Sequence, residues 1–236
     1  MSRLALFDLD NTLLTGDSEV LWVEFLMARG QLDCSLAERN ADLDQRYHAG
    51  TATPAEFCEF FASTFAGSSA DEWAPWREAF MHDVIRPRLP AAAFALVRQH
   101  REAGDVLVLT TASSRFLVEL TAREFGFGHL IATELATDAS GRFTGRTSGT
   151  LNMRDGKVTR LHDWLAERGE PVAPALAAAT FYSDSINDLP LMLAVGRPVA
   201  VDPDPRLALE ASARQWPVLN LDRLRSNNNN NNNNKT

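Results

Sequence analysis

Arg3-Leu4-Ala5-Leu6-Phe7-Asp8-Leu9-Asp10 is the stretch that decides the fold. A short apolar run turns abruptly acidic, the pattern of a buried strand whose carboxyl end emerges at a polar site. Similar runs return late in the chain: Val106-Leu107-Val108-Leu109 before Thr110-Thr111, Ala178-Ala179-Thr180-Phe181-Tyr182 before Ser183-Asp184, and Pro198-Val199-Ala200-Val201 before Asp202. Helical patterns separate them, from Pro90 to Ala103, from about Arg115 to Phe125 and from about Lys157 to Arg168, each stopped by a glycine. Strands alternating with helices predict an α/β domain on a largely parallel sheet.

Between residues 17 and 85 the strand signal vanishes. Two capping boxes, Ser35-Leu36-Ala37-Glu38 and Thr53-Pro54-Ala55-Glu56, and apolar residues at helical spacing (Leu21, Phe25, Phe57, Phe60, Phe61, Phe65) predict an all-helical insert after the first strand. The apolar stripe reads as core rather than as a ligand site. Gly141-Arg142-Phe143-Thr144-Gly145-Arg146 predicts a hairpin at the edge of the core. Gly126-Phe127-Gly128 lacks the third glycine of a dinucleotide loop, and Gly156-Lys157-Val158 lacks the residues of a P-loop, so both nucleotide readings fail.

The chain has 236 residues, 45% hydrophobic and 23% charged, enough for a real core and against disorder for most of its length. Its formal charge of −8 opposes nucleic-acid wrapping and anionic membranes. No leader and no membrane-spanning run is evident, and Cys34 and Cys58 read as reduced thiols in helical cores; the expectation is a cytoplasmic protein, monomeric or homodimeric. The end, with eight asparagines from Asn227 to Asn234, is a low-complexity tail unable to bury anything, and is expected to be disordered.

Asp8 and Asp10 end the first strand; Asp184 and Asp188 follow a late one. In a parallel sheet these strand ends share one edge, where α/β folds bind ligands. A single aspartate there is commonly a turn or cap residue, but four converging carboxylates repel unless a hard, oxygen-ligated cation such as Mg²⁺ sits among them. Thr110-Thr111-Ala112-Ser113 puts hydroxyls and helix N-terminal N–H groups where a phosphoryl oxygen fits, although such residues also serve as caps. Lys157 offers a positive charge near a helix start.

With these residues in place, Asp8-Leu9-Asp10-Asn11-Thr12-Leu13 resembles the DxDxT motif of the haloacid dehalogenase superfamily phosphatases. Thr111 resembles the second-motif hydroxyl, with Thr110 competing for the position. Lys157 resembles the third-motif lysine, and Ser183-Asp184-Ser185-Ile186-Asn187-Asp188-Leu189-Pro190 the fourth acidic motif. The likeness spans residues 3 to 202 and is strongest to the phosphoserine phosphatase-like branch. It implies a doubly wound, Rossmann-like parallel sheet with an inserted all-helical type 1 cap: residues 1–16 and 86–226 form the core, 17–85 the cap and 227–236 the tail.

The resemblance also implies a chemistry. Asp8 is the expected nucleophile, forming an aspartyl-phosphate, and Asp10 the acid/base. Mg²⁺ is expected on Asp8, the Asp10 backbone carbonyl, Asp184 and Asp188, the last orienting a metal-bound water or Lys157. Thr111, Lys157, Asn187 and the backbone N–H groups around Leu9 and Asp10 are expected to cradle the phosphoryl oxygens. The expected partner is a small phosphomonoester. Asp17 stands where related phosphatases carry a carboxylate for a substrate amine, as in phosphoserine or histidinol phosphate; it equally suits an ordinary helix N-terminus. Arg39, Arg46 and Arg77 are candidates for a substrate carboxylate. The rival readings are a phosphotransferase or mutase using the same aspartyl-phosphate, and a catalytically silent phosphate-binding protein.

Overall fold

The structure is a computed structural model that describes residues 3–32, 42–43, 45–46, 51 and 53–221. The Ser35–Glu38 capping box, Cys34, Arg39 and the asparagine-rich end lie outside the described residues.

Seven strands form one sheet in the order β4-β3-β2-β1-β5-β6-β7. They are β1 (Leu4–Phe7), β2 (Val106–Ser114), β3 (His129–Thr137), β4 (Phe143–Ser148), β5 (Thr180–Ser183), β6 (Arg197–Val201) and β7 (Val218–Leu219). The opening run is central, parallel to β2 on one side and β5 on the other. Only β4 runs antiparallel, as the hairpin partner of β3. Successive β1 residues point to opposite faces: Ala5 and Phe7 join one hydrophobic cluster, Leu4 and Leu6 the other. Helices cover both, so the doubly wound α/β architecture is as expected.

β2 runs on through Thr110 to Ser114 instead of stopping at Leu109. Polar strand residues are tolerated there because Asn152 Nδ2 lies 3.0 Å from Thr110 Oγ1, 2.8 Å from the Thr111 carbonyl and 2.9 Å from the Ile131 carbonyl. The strand leads straight into a helix at Arg115–Phe125, which Ser114 caps and Gly126 ends at φ +74°. The helix carrying Lys157 spans Asp155–Glu167.

The insert contains α1 (Ser18–Ala28), α2 (Pro54–Ser63) and α3 (Ala70–Phe80). Thr53 and Glu56 complete the capping box read for α2. Trp22, fully buried, stacks on Phe25 and Phe65 and meets Phe80 edge-on. These rings belong to the same cluster as Phe7, so insert and sheet share one core. The insert is also tied to the hairpin: Gly67 N–H donates to the Phe143 carbonyl, Phe143 N–H to that of Ser68, and Arg142 pairs with Glu72 at 3.1 Å. Among the described residues no helix is long and apolar enough to cross a membrane.

Candidate active site

The strand ends of β1, β2 and β5 converge on a cavity of about 370 Å³. Its walls include Asp8, Asp10, Asp17, Lys157, Asp184, Asn187 and Asp188, so distant stretches of sequence meet as the parallel topology requires. Lys157 Nζ, 2% exposed, lies 2.8 Å from Asp8 Oδ1 and 2.6 Å from Asp188 Oδ2. The lysine gets there because its helix begins in close contact with the preceding loop. A Cβ on Gly156 would come within 2.0 Å of the Leu151 carbonyl oxygen. Gly156→Ala is therefore expected to displace Lys157 and reduce activity at least tenfold, the scale on which small misplacements cost rate; steady-state kinetics beside a thermal melt checks it.

Thr12 links the two acidic motifs. Its hydroxyl lies 3.3 Å from Asp8 Oδ2 and 3.0 Å from Asp184 Oδ1, and accepts the Asp184 N–H at 3.0 Å. Asp10 is held on the other side, accepting Ser18 N–H at 2.7 Å and Ser113 Oγ–H at 2.6 Å. Burial, above all, raises these acids. Asp8 reaches about 7, with Lys157 pulling down against Asp188 and Asp10; Asp10 reaches about 6, with Asp17 adding to the rise. Asp184 is likewise pushed well up by burial and then by Asp8 and Asp188. For Lys157 burial opposes the charge, but Asp188 and Asp8 overcome it and raise its pKa.

Asp188, grouped by sequence with the metal-binding carboxylates, has its Oδ2 engaged by Lys157 and, at 2.7 Å, by Ser183 Oγ. This contact fits one of its two expected tasks, orienting Lys157. Thr111 faces Asp10 at 3.5 Å, whereas Thr110 turns to Asn152. Thr111 is fully buried, however, and Ala112 and Ser113 line the cavity there, because β2 extends past it. Leu9 is buried in the turn, its carbonyl accepting the N–H groups of Thr12, Leu13 and Leu14. Asn187 Oδ1 accepts Arg154 Nε–H at 3.3 Å. Asp17 caps α1, its Oδ1 accepting the N–H groups of Glu19 and Val20.

Arg77 is turned to Glu119 and lies over Phe116, and Arg46 pairs with Glu56; neither lines the cavity. Phe57 does line it, unlike the rest of the apolar stripe. Sequence reasoning missed Glu19 and Arg154 and took Ser113 only as the last of a run of hydroxyls; all three line the cavity. Glu19 stands two residues from Asp17 in the first turn of α1, where an acidic residue reads simply as a partner of the helix dipole.

Asp8 and Asp184 face a common point through Thr12, and both are destabilised as anions by their surroundings. Such hard oxygen donors, with Lys157 only partly offsetting their charge, suit Mg²⁺. Among the described residues no three acidic, imidazole or thiol side chains form a metal cluster by themselves. Two carboxylates with a backbone carbonyl, the remainder being water, is a set Mg²⁺ commonly accepts.

A model of the haloacid dehalogenase-like hydrolase family matches residues 5–193. The chain is 39% identical over 221 residues to a histidinol-phosphatase of Neisseria meningitidis serogroup C (strain 8013), covering 93% of this chain and 99% of that one. A crystal structure of a protein of unknown function from Bordetella pertussis Tohama I superposes with a TM-score of 0.88 at 45% identity, over 94% of this chain and 99% of the other. A substrate-bound phosphoserine phosphatase shares the fold with a TM-score of 0.68 at 16% identity, over 93% of each chain. With its strand-end carboxylates gathered around a buried lysine, the chain belongs to the haloacid dehalogenase-like hydrolases and is a phosphatase of that family.

Proposed function

We propose that the protein is a Mg²⁺-dependent phosphatase of a small, amino-bearing phosphomonoester, histidinol phosphate foremost, acting through an aspartyl-phosphate. The observation that carries the chemistry is Asp8, buried at a strand end, paired with Lys157 and flanked by Asp10. The Asp8 carboxylate attacks phosphorus as the ester bond breaks, and Asp10 gives its proton to the departing alkoxide. Asp10 then takes a proton from the water that attacks the aspartyl-phosphate, releasing inorganic phosphate and restoring Asp8. An acid raised to about 6 is suited to both transfers. Lys157, Asn187 and the hydroxyl of Ser113 stabilise the phosphoryl oxygens, with Thr111 behind them bonded to the Ser113 N–H. Asp8, Asp184 and the Asp10 backbone carbonyl are the residues to hold Mg²⁺, whose charge lets one anion approach another.

Two observations support the substrate. The cavity wall at the start of α1 is acidic, with Asp17 and Glu19 beside Asp10, as an ammonium group requires. Of the candidate cap arginines, the described Arg46 and Arg77 are turned to Glu56 and Glu119, away from the cavity. The N. meningitidis relative, named a histidinol-phosphatase, points the same way.

The test is phosphate release from histidinol phosphate, phosphoserine, phosphoglycolate and a sugar phosphate, with Mg²⁺ and with chelator. Release should require the metal and show its highest kcat/KM on histidinol phosphate. Undiminished release in chelator overturns the metal dependence; equal kcat/KM on all four overturns the substrate. Phosphate transferred to an added alcohol in place of release would identify a phosphotransferase.

A further inference from the structure

We propose that Glu19 is the principal anchor for the substrate's ammonium group, an inference that rests on the reading of the substrate as an amino-bearing ester. Glu19 is 5% exposed yet lines the cavity. One oxygen, Oε1, accepts the N–H of Ser114 at 2.9 Å, which fixes the side chain between α1 and the end of β2. Among the described residues its carboxylate makes no other hydrogen bond. The geometry is that of a pinned carboxylate with its second oxygen available to a ligand.

Asp17, the candidate drawn from sequence, is placed differently. Its Oδ1 holds two N–H groups at the start of α1, so its charge is spent partly on the helix terminus. The neighbourhood of Glu19 is short of positive charge. Burial, and then Asp17 and Asp10, disfavour its anion, with only the Ser114 N–H favouring it. Phe57 and Cys58 of α2 also line the cavity, and neither can neutralise it. A buried carboxylate in such a place is costly until a cation arrives, and an arriving ammonium relieves that cost in addition to forming its own charged hydrogen bond.

Glu19 also has a plain structural task, tying the insert to β2 through Ser114, and the test separates the two. Glu19→Gln keeps an oxygen for the Ser114 N–H and loses the charge. Wild type and variant are each assayed with histidinol phosphate and with its deaminated analogue, 3-(imidazol-4-yl)propyl phosphate. Wild type is expected to favour the amine by about tenfold to a hundredfold in kcat/KM, the range of a charged hydrogen bond. In Glu19→Gln that ratio should collapse towards one, and Glu19→Asp should restore part of it. A ratio in Glu19→Gln equal to that of wild type overturns the role of Glu19 while leaving the substrate reading intact. A wild-type ratio already near one overturns the reading itself, and Glu19's role with it. Loss of a merely structural tie lowers both rates together and leaves the ratio at the wild-type value.

Discussion

Asp8→Asn is expected to abolish turnover, by about 10⁴-fold or more, in a protein that still folds. The amide keeps the size of the carboxylate and one oxygen to accept from Lys157, but cannot form the aspartyl-phosphate. Phosphatase activity at the wild-type level in this variant would sink the mechanism. The same variant has a signature without substrate. Burial chiefly raises Asp8 from an ordinary 3.8 to about 7, so between pH 4 and 7 the folded state binds more protons than the unfolded one. Stability of the metal-free protein then falls as pH rises through that window. Asp10, raised to about 6, acts in the same direction over the lower part of it. Asp8→Asn should flatten the slope, and Mg²⁺ should offset it in wild type; melting temperatures from pH 4.5 to 8, with chelator and with metal, measure both.

Lys157→Met should be the more damaging change to the fold. It leaves Asp8 and Asp188 buried at 6% and 4% exposure with no counter-charge. Removing one partner of a buried ion pair typically costs about 3–5 kcal/mol, here roughly 6–20 °C in melting temperature. The carboxylates can recover part of this by taking up protons, so the deficit should shrink at pH 5 and widen at pH 8. A variant that melts with wild type at pH 8 would show that the lysine neutralises nothing. Activity should vanish in either case, because Lys157 also faces the phosphoryl group in the proposed mechanism.

The sequence was most legible where chemistry and local structure coincide. Asp8 and Asp10 interrupt an apolar strand, and Asp184 and Asp188 follow another, so the sheet rule alone brings them together. Lys157 was recognisable through its resemblance to a motif, but its depth depends on Gly156 packing against Leu151, which no spacing reveals. Ser113 was legible only as one hydroxyl of a run, because the length of β2 decides which of them reaches the cavity. Apolar patterning ends at Leu109, whereas the strand continues because Asn152, some forty residues away, satisfies its polar groups. Glu19 was hidden for a different reason: a first-turn acid has an adequate local explanation, and only the packing of α1 against Ser114 shows what it faces. Asp188 carried a fourth-motif identity that fitted two tasks, and the structure shows its Oδ2 against Lys157.

The backbone bonds between residues 67–68 and Phe143 bear on how molecules enter and leave. A flap joined to its base by two strands of chain swings about the line between them, like a door on its hinges. The insert has those two joints, near Gly16 and near Arg88, but the hairpin adds a latch away from that line. With the latch engaged there is no axis left to turn on, and a swing must first break it or drag β4 along. The side of the cavity lined by Ser185, Pro205 and Arg206 belongs to the sheet's own loops and stands outside the latched insert.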